Sequence, residues 1–148
     1  MGSKMKILFD TSVIISALVE SHPMHKRAFP WLKQAKANKF EMIVASHTIA
    51  ELYAVLSTLP IKPRISPLTA RKLINENIEP ISKIVSLTPE EYKAVIKRIS
   101  ELGLIGGIAY DALIAKVAQK TKVERLLTLN VDHFTRAWPE GQKKIILP

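Results

Sequence analysis

Apolar positions along this chain fall in short runs separated by longer segments of helical period. Residues 5–10 (MKILFD) are a short apolar run closed by an acid and predict a buried strand. Residues 11–20 (TSVIISALVE) are apolar for longer than one strand needs, and Thr11 or Ser12 as an N-cap favours a helix over a continued strand. Residues 22–39 are basic and helical in pattern, and Pro30 predicts a kink or a break into two pieces. Residues 41–46 (EMIVAS) predict a second strand. Residues 48–59 predict a helix, with Ile49, Leu52, Tyr53, Leu56 and Leu59 at helical spacing.

Pro60, Pro63 and Pro67 mark a loop, followed by a polar helix over 68–79 and a third strand over 81–87 (ISKIVSL). Thr88 as N-cap, Pro89 at N1 and Glu91 at N3 start a helix that runs to about Leu102. Gly103, Gly106 and Gly107 make a flexible connection. Residues 109–121 (AYDALIAKVAQKT) form a helix apolar nearly all round, hence buried. Residues 125–130 (RLLTLN) predict a fourth strand and 143–147 (KKIIL) a short fifth. Short apolar strands alternating with helices specify an α/β domain: a central parallel sheet of four to five strands with helices on both faces, a three-layer α/β/α arrangement. No repeat, low-complexity tract or linker divides the chain, so residues 5–148 read as one domain. Residues 1–4, ahead of Met5, read as a cloning remnant.

Composition narrows the class. The chain has 148 residues, 47% of them hydrophobic, enough for an ordinary core and too many for disorder. No apolar run approaches the roughly 18 residues of a membrane helix, so no membrane role is expected. The absence of Cys excludes disulfides, thiolate metal sites and a cysteine nucleophile, and suits a cytoplasmic location. The net charge of +9 suggests a polyanionic partner. Ten of the thirteen acids are Glu; the three Asp are Asp10, Asp111 and Asp132, and each borders or interrupts an apolar stretch.

Sites in open α/β sheets lie beyond the carboxyl ends of the strands. Asp10 ends the first strand, and Asp132 lies two residues past the fourth. Glu51 falls early in the helix after the second strand, and Asp111 in the first turn of the helix before the fourth. All four can converge on one sheet edge. Each also has a purely structural reading: Asp10 as a cap, Glu51 as a solvated helix residue, Asp111 as a paired buried charge, and Asp132 as a cap for a short helix over 133–137. Grouped carboxylates repel and raise each other's pKa, and a hard divalent cation, Mg²⁺ or Mn²⁺, resolves the conflict. Such an ion activates water and neutralises charge on a phosphate. Thr11, Ser12, Thr128 and Asn130 lie close by in sequence and can orient water or contact phosphate. Nucleotide cradling is unsupported, with neither GxxxxGK[ST] nor GxGxxG present. The histidines show no zinc spacing; His22, His25 and His47 read as surface or capping residues. Trp31 and Trp138 read as packing residues.

The segments FDTSVIISAL (Phe9–Leu18), AEL (Ala50–Leu52), GGIAYDALIA (Gly106–Ala115) and TLNVDHF (Thr128–Phe134) resemble the ordered motifs of PIN domains, and among these the VapC-type toxins of prokaryotic toxin–antitoxin pairs. The resemblance spans nearly the whole chain. It implies a PIN-like fold and a metal-dependent endoribonuclease that cleaves RNA with a water nucleophile. Asp10, Glu51 and Asp111 are then the main acidic cluster, with Thr11 or Ser12 beside the metal and Thr128 and Asn130 lining the site. It further implies a homodimer and a cognate antitoxin whose tail occludes the site. The sequence departs from the family in two places. The fourth motif commonly reads N-x-x-D-F, but here His133 holds the Asp position and Asp132 comes one residue early. The basic residue often seen just before the third acid is replaced by Gly107-Ile108-Ala109-Tyr110. Lysines and arginines in 33–39 or 64–72 are candidates for holding RNA backbone. Two alternatives stay open: an RNA-processing PIN nuclease without antitoxin, and a non-catalytic PIN-like module that binds RNA or protein.

Overall fold

Strand β1 (Lys6–Phe9) is buried on both faces: Ile7 and Phe9 point into one core and Leu8 into another, because successive strand side chains alternate sides. This computed structural model describes residues 4–148; residues 1–3, within the segment expected to be a cloning remnant, lie outside the described residues. The same alternation runs through β2 (Glu41–Ala45), with Met42 and Val44 on the first face and Ile43 and Ala45 on the second. Strands β3 (Ser82–Val85), β4 (Arg125–Leu127) and β5 (Ile145–Ile146) complete a sheet of order β3-β2-β1-β4-β5, parallel throughout.

The first face is covered by α1 (Thr11–Leu18), α2 (His25–Lys36), α3 (Ser46–Leu56) and α4 (Pro67–Asn77), through residues such as Val13, Leu32, Leu52 and Ile74. The second is covered by α6 (Ile108–Thr121) and α7 (Val131–Ala137), through Ile114, Ala118 and Phe134. Helix α5 (Pro89–Glu101) packs on α6 rather than on the sheet, with Val95 and Ile99 against Ile108, Ala112 and Leu113. Three layers result, as the alternation of strands and helices requires. Among the described residues no helix is long and apolar enough to cross a membrane.

Three local expectations change. Pro30 lies inside α2 without breaking it into two pieces. Its ring cannot donate to the Lys26 carbonyl four residues back, but both residues are exposed, so water can satisfy that carbonyl. Strand β4 ends at Leu127 rather than Asn130: Thr128 N–H still donates to Ile146 O (3.1 Å), but Leu129 N–H turns to Ser12 Oγ (3.1 Å), which pulls the chain off the sheet. Between α7 and β5 the chain forms a 3₁₀ turn (Pro139–Lys144) that the sequence pattern did not predict. Gly141 sits beneath the Trp138 indole there, and a Cβ would come within 2.2 Å of the ring.

Candidate active site

Asp10 is the first residue beyond β1, where the sheet's neighbours change from β2 on one side to β4 on the other, and crossovers diverge to opposite faces. It caps α1: Thr11 N–H donates to Asp10 Oδ1 (2.7 Å). Its other oxygen accepts from Ser12 Oγ (2.8 Å) and from Thr128 Oγ1 (2.9 Å), tying α1 to the end of β4. The residue is only 4% exposed. Burial pushes its pKa up, the three hydrogen bonds oppose that, and the nearby Glu51 charge adds to the rise.

Glu51, in the second turn of α3, reaches the same place. Thr11 Oγ1 donates to Glu51 Oε1 (2.9 Å) and lies 3.1 Å from Thr48 Oγ1. Asp111, in the first turn of α6, has its pKa raised to about 6, first by burial and then by the Asp10 charge, with a smaller rise from Glu51. The structure thus brings Asp10, Glu51 and Asp111 within electrostatic reach of each other, from the end of β1 and from helices α3 and α6. Thr11, Ser12 and Thr128 are the hydroxyls between them. Asn130 is exposed, and its backbone N–H donates to Thr128 Oγ1 (2.9 Å), so it orients that hydroxyl.

Asp132 does not join the group. His133 stands over Asp111 instead, with Nδ1 at 3.4 Å from Oδ2. His133 and Asp111 line one cleft; Asp132 is exposed and lines only the neighbouring one, which His133 shares and which does not include Asp111. The reason is helical geometry: both residues lie in the first turn of α7, and consecutive helix residues point about 100° apart. The one-residue shift in the fourth motif therefore exchanges a carboxylate for an imidazole. His47, read as a surface or capping residue, flanks the site on the other side. Its Nε2 is 3.7 Å from Glu51 Oε1, and its ring stacks on Tyr110 at 5.1 Å and 5°. Helical spacing i, i+4 to Glu51 was the available signal for His47, and the shifted motif was the signal for His133.

Among the described residues, no Lys or Arg forms an ion pair with Asp10, Glu51 or Asp111. Nor do three or more His, Asp or Glu side chains converge closely enough to hold one ion as they stand. The donor chemistry still fits a divalent cation. The acids offer hard oxygens, two of them have raised pKa values, and among the described residues only imidazoles, not Lys or Arg, stand beside them.

A family model for the PIN domain matches residues 7–137. The chain belongs to the PIN domain family. Among curated PIN-domain relatives, ribonuclease VapC27 of Mycobacterium tuberculosis is 31% identical over 121 residues, covering 82% of this chain and 82% of that protein. Among solved structures, the Mycobacterium tuberculosis sarcin–ricin loop cleaving toxin VapC20 aligns with a TM-score of 0.63 at 15% identity, covering 81% of this chain and 86% of that one. A chain of VapBC2 from Rickettsia felis, bound to a promoter DNA fragment, aligns with a TM-score of 0.60 at 18% identity, covering 97% and 98%. The structural likenesses show that this PIN domain shares its three-layer fold with those proteins.

Proposed function

We propose that this PIN domain is a divalent-metal-dependent endoribonuclease, the toxin of a toxin–antitoxin pair. The observation that carries the reading is the acidic centre: in a chain of net charge +9, Asp10, Glu51 and Asp111 meet without a Lys or Arg partner among the described residues. The similarity to VapC27, a ribonuclease by name, supports the same activity, and the VapBC2 relative supports an antitoxin partner. The reading takes RNA as substrate, a homodimer as the assembly and the cytoplasm as its place.

Asp10, Glu51 and Asp111 would hold Mg²⁺ or Mn²⁺, whose chemistry would be to activate water and to neutralise charge on the scissile phosphate. Asp10 is oriented by its bonds from Thr11 N–H, Ser12 and Thr128, so its free lone pairs face a fixed direction. Thr11 holds Glu51 at the same opening. The His133 imidazole beside Asp111 replaces the carboxylate expected from Asp132 and leaves the acidic group at three. The test is cleavage of a single-stranded RNA by the purified protein with Mn²⁺, with EDTA, and with Asp10→Asn. Cleavage with Mn²⁺ that falls at least a hundredfold in the other two arms is the expected result (on the order of 3 kcal/mol of barrier). Activity that survives both EDTA and Asp10→Asn overturns the mechanism.

A further inference from the structure

The site's opening carries a feature that the acidic group does not use. Asp111 and His133 share a cleft of about 430 Å³ with Arg136 and with the loop between α5 and α6, through Gly103, Leu104, Ile105, Gly107 and Ile108. That volume lies within the range of about 300–1,000 Å³ typical of ligand sites. Arg136, in the last turn of α7, is exposed and pairs with no carboxylate among the described residues. The surface offers Arg136 a carboxylate in the same cleft, Asp111, yet the two do not form an ion pair. One cleft therefore holds a carboxylate whose partner among the described residues is the His133 imidazole, and a guanidinium with no carboxylate partner there.

A phosphodiester chain suits that arrangement. Its scissile phosphate would face the acidic end, where Asp10, Glu51 and Asp111 would hold a cation, and the next phosphate would face the guanidinium. Arg presents a planar fork that matches two phosphate oxygens. The cleft wall fits a sugar–base unit as well: Leu104 is half-buried, Ile108 is buried, and Ile105 is 87% exposed at the rim. Gly103 and Gly106 hold φ of +70° and +72°, which lets the loop turn sharply, and a Cβ at Gly103, Gly106 or Gly107 would meet nothing within 4 Å. The loop is thus unpacked on its outer side.

We infer that this cleft is the nucleotide subsite next to the scissile bond, and that Arg136 holds the phosphate neighbouring the one cleaved. The inference rests on the ribonuclease reading of the acidic centre. It also supplies a basic group for the phosphate where the family's residue before the third acid is absent.

The test compares wild type, Arg136→Ala and Arg136→Lys in two measurements. One is binding of a fluorescein-labelled single-stranded RNA by anisotropy in EDTA, across a series of KCl concentrations. The other is steady-state cleavage with Mn²⁺. Arg136→Ala is expected to raise Kd and KM about tenfold, the scale of one charge-assisted hydrogen bond. It should also flatten the slope of log Kd against log salt by about 0.7, the loss of one single-strand phosphate contact. Arg136→Lys keeps the slope and loses affinity severalfold, because an ammonium cannot fork across two oxygens. A cleaving wild type beside an Arg136→Ala variant with unchanged KM and salt slope overturns the inference and leaves the ribonuclease reading standing. A wild type that neither binds nor cuts RNA overturns both. Should Arg136→Ala fail to fold, an Arg136→Lys variant indistinguishable from wild type overturns the inference.

Discussion

Asp111 carries the tension of the site in one side chain. It is mostly buried, it faces the charge of Asp10, and among the described residues the base beside it is the His133 imidazole. With a folded-state pKa of about 6 against an ordinary 3.8, the folded protein holds a proton between about pH 4 and 6 that the unfolded chain has released. The folded state binds more protons in that window, so this group's contribution to stability falls as pH rises through it. Asp111→Asn removes the effect. The variant should melt higher than wild type at pH 7.5 in EDTA, by about 2–4 °C for each kcal/mol recovered in a chain of this size. The difference should vanish toward pH 4, and RNA cleavage should be lost. A lower melting temperature at pH 7.5 would show that Asp111 is compensated after all. At this scale the sequence was legible for the proximity of Asp10, Glu51 and Asp111, since a strand end and early helix turns place them at one sheet edge. It was not legible for Asp132 and His133, where one residue of register within α7 decides which side chain faces Asp111. No composition or periodicity argument resolves a rotation of about 100°.

Helix ends account for most of what the sequence showed of the elements. Thr88 and Glu91 form the capping box that the sequence predicted: Glu91 N–H donates to Thr88 Oγ1 (3.1 Å), and Thr88 N–H donates to Glu91 Oε1 (2.8 Å). Glu91 also takes an ion pair from Lys120 of α6 (2.9 Å), which together with the cap holds its pKa down at about 2. The box thus starts α5 and ties it to the helix that carries Asp111. Thr88→Ala should cost about 1 kcal/mol of stability, read as a lower urea midpoint at unchanged slope, with kcat for RNA retained. A collapse of activity without loss of stability would place the α5 cap in the site itself. Elements were harder to read where tertiary contacts override local signals. Pro30 should break a helix, but an exposed carbonyl tolerates it. Strand β4 reads as six residues in sequence and forms three, because Ser12 captures the Leu129 N–H. The 3₁₀ turn depends on Trp138 lying over Gly141, a contact without a periodic signature.

For the molecule as a whole, the sheet order places β1 at the centre with crossovers to both faces, and this brings residues far apart in sequence to the end of one strand. Thr128 reaches Asp10 across 118 positions, and Thr11 reaches Glu51 across 40. The net charge of +9 then divides into two parts: a basic exterior suited to a polyanion and a small acidic centre that no Lys or Arg among the described residues pairs with. Anomalous difference density from Mn²⁺-soaked crystals shows whether that acidic centre takes a cation. A peak bonded to Asp10 and Asp111 at the carboxyl end of β1, lost in crystals of Asp10→Asn, is expected. Crystals soaked at millimolar Mn²⁺ that show no peak there, or a basic side chain in its place, would contradict that expectation.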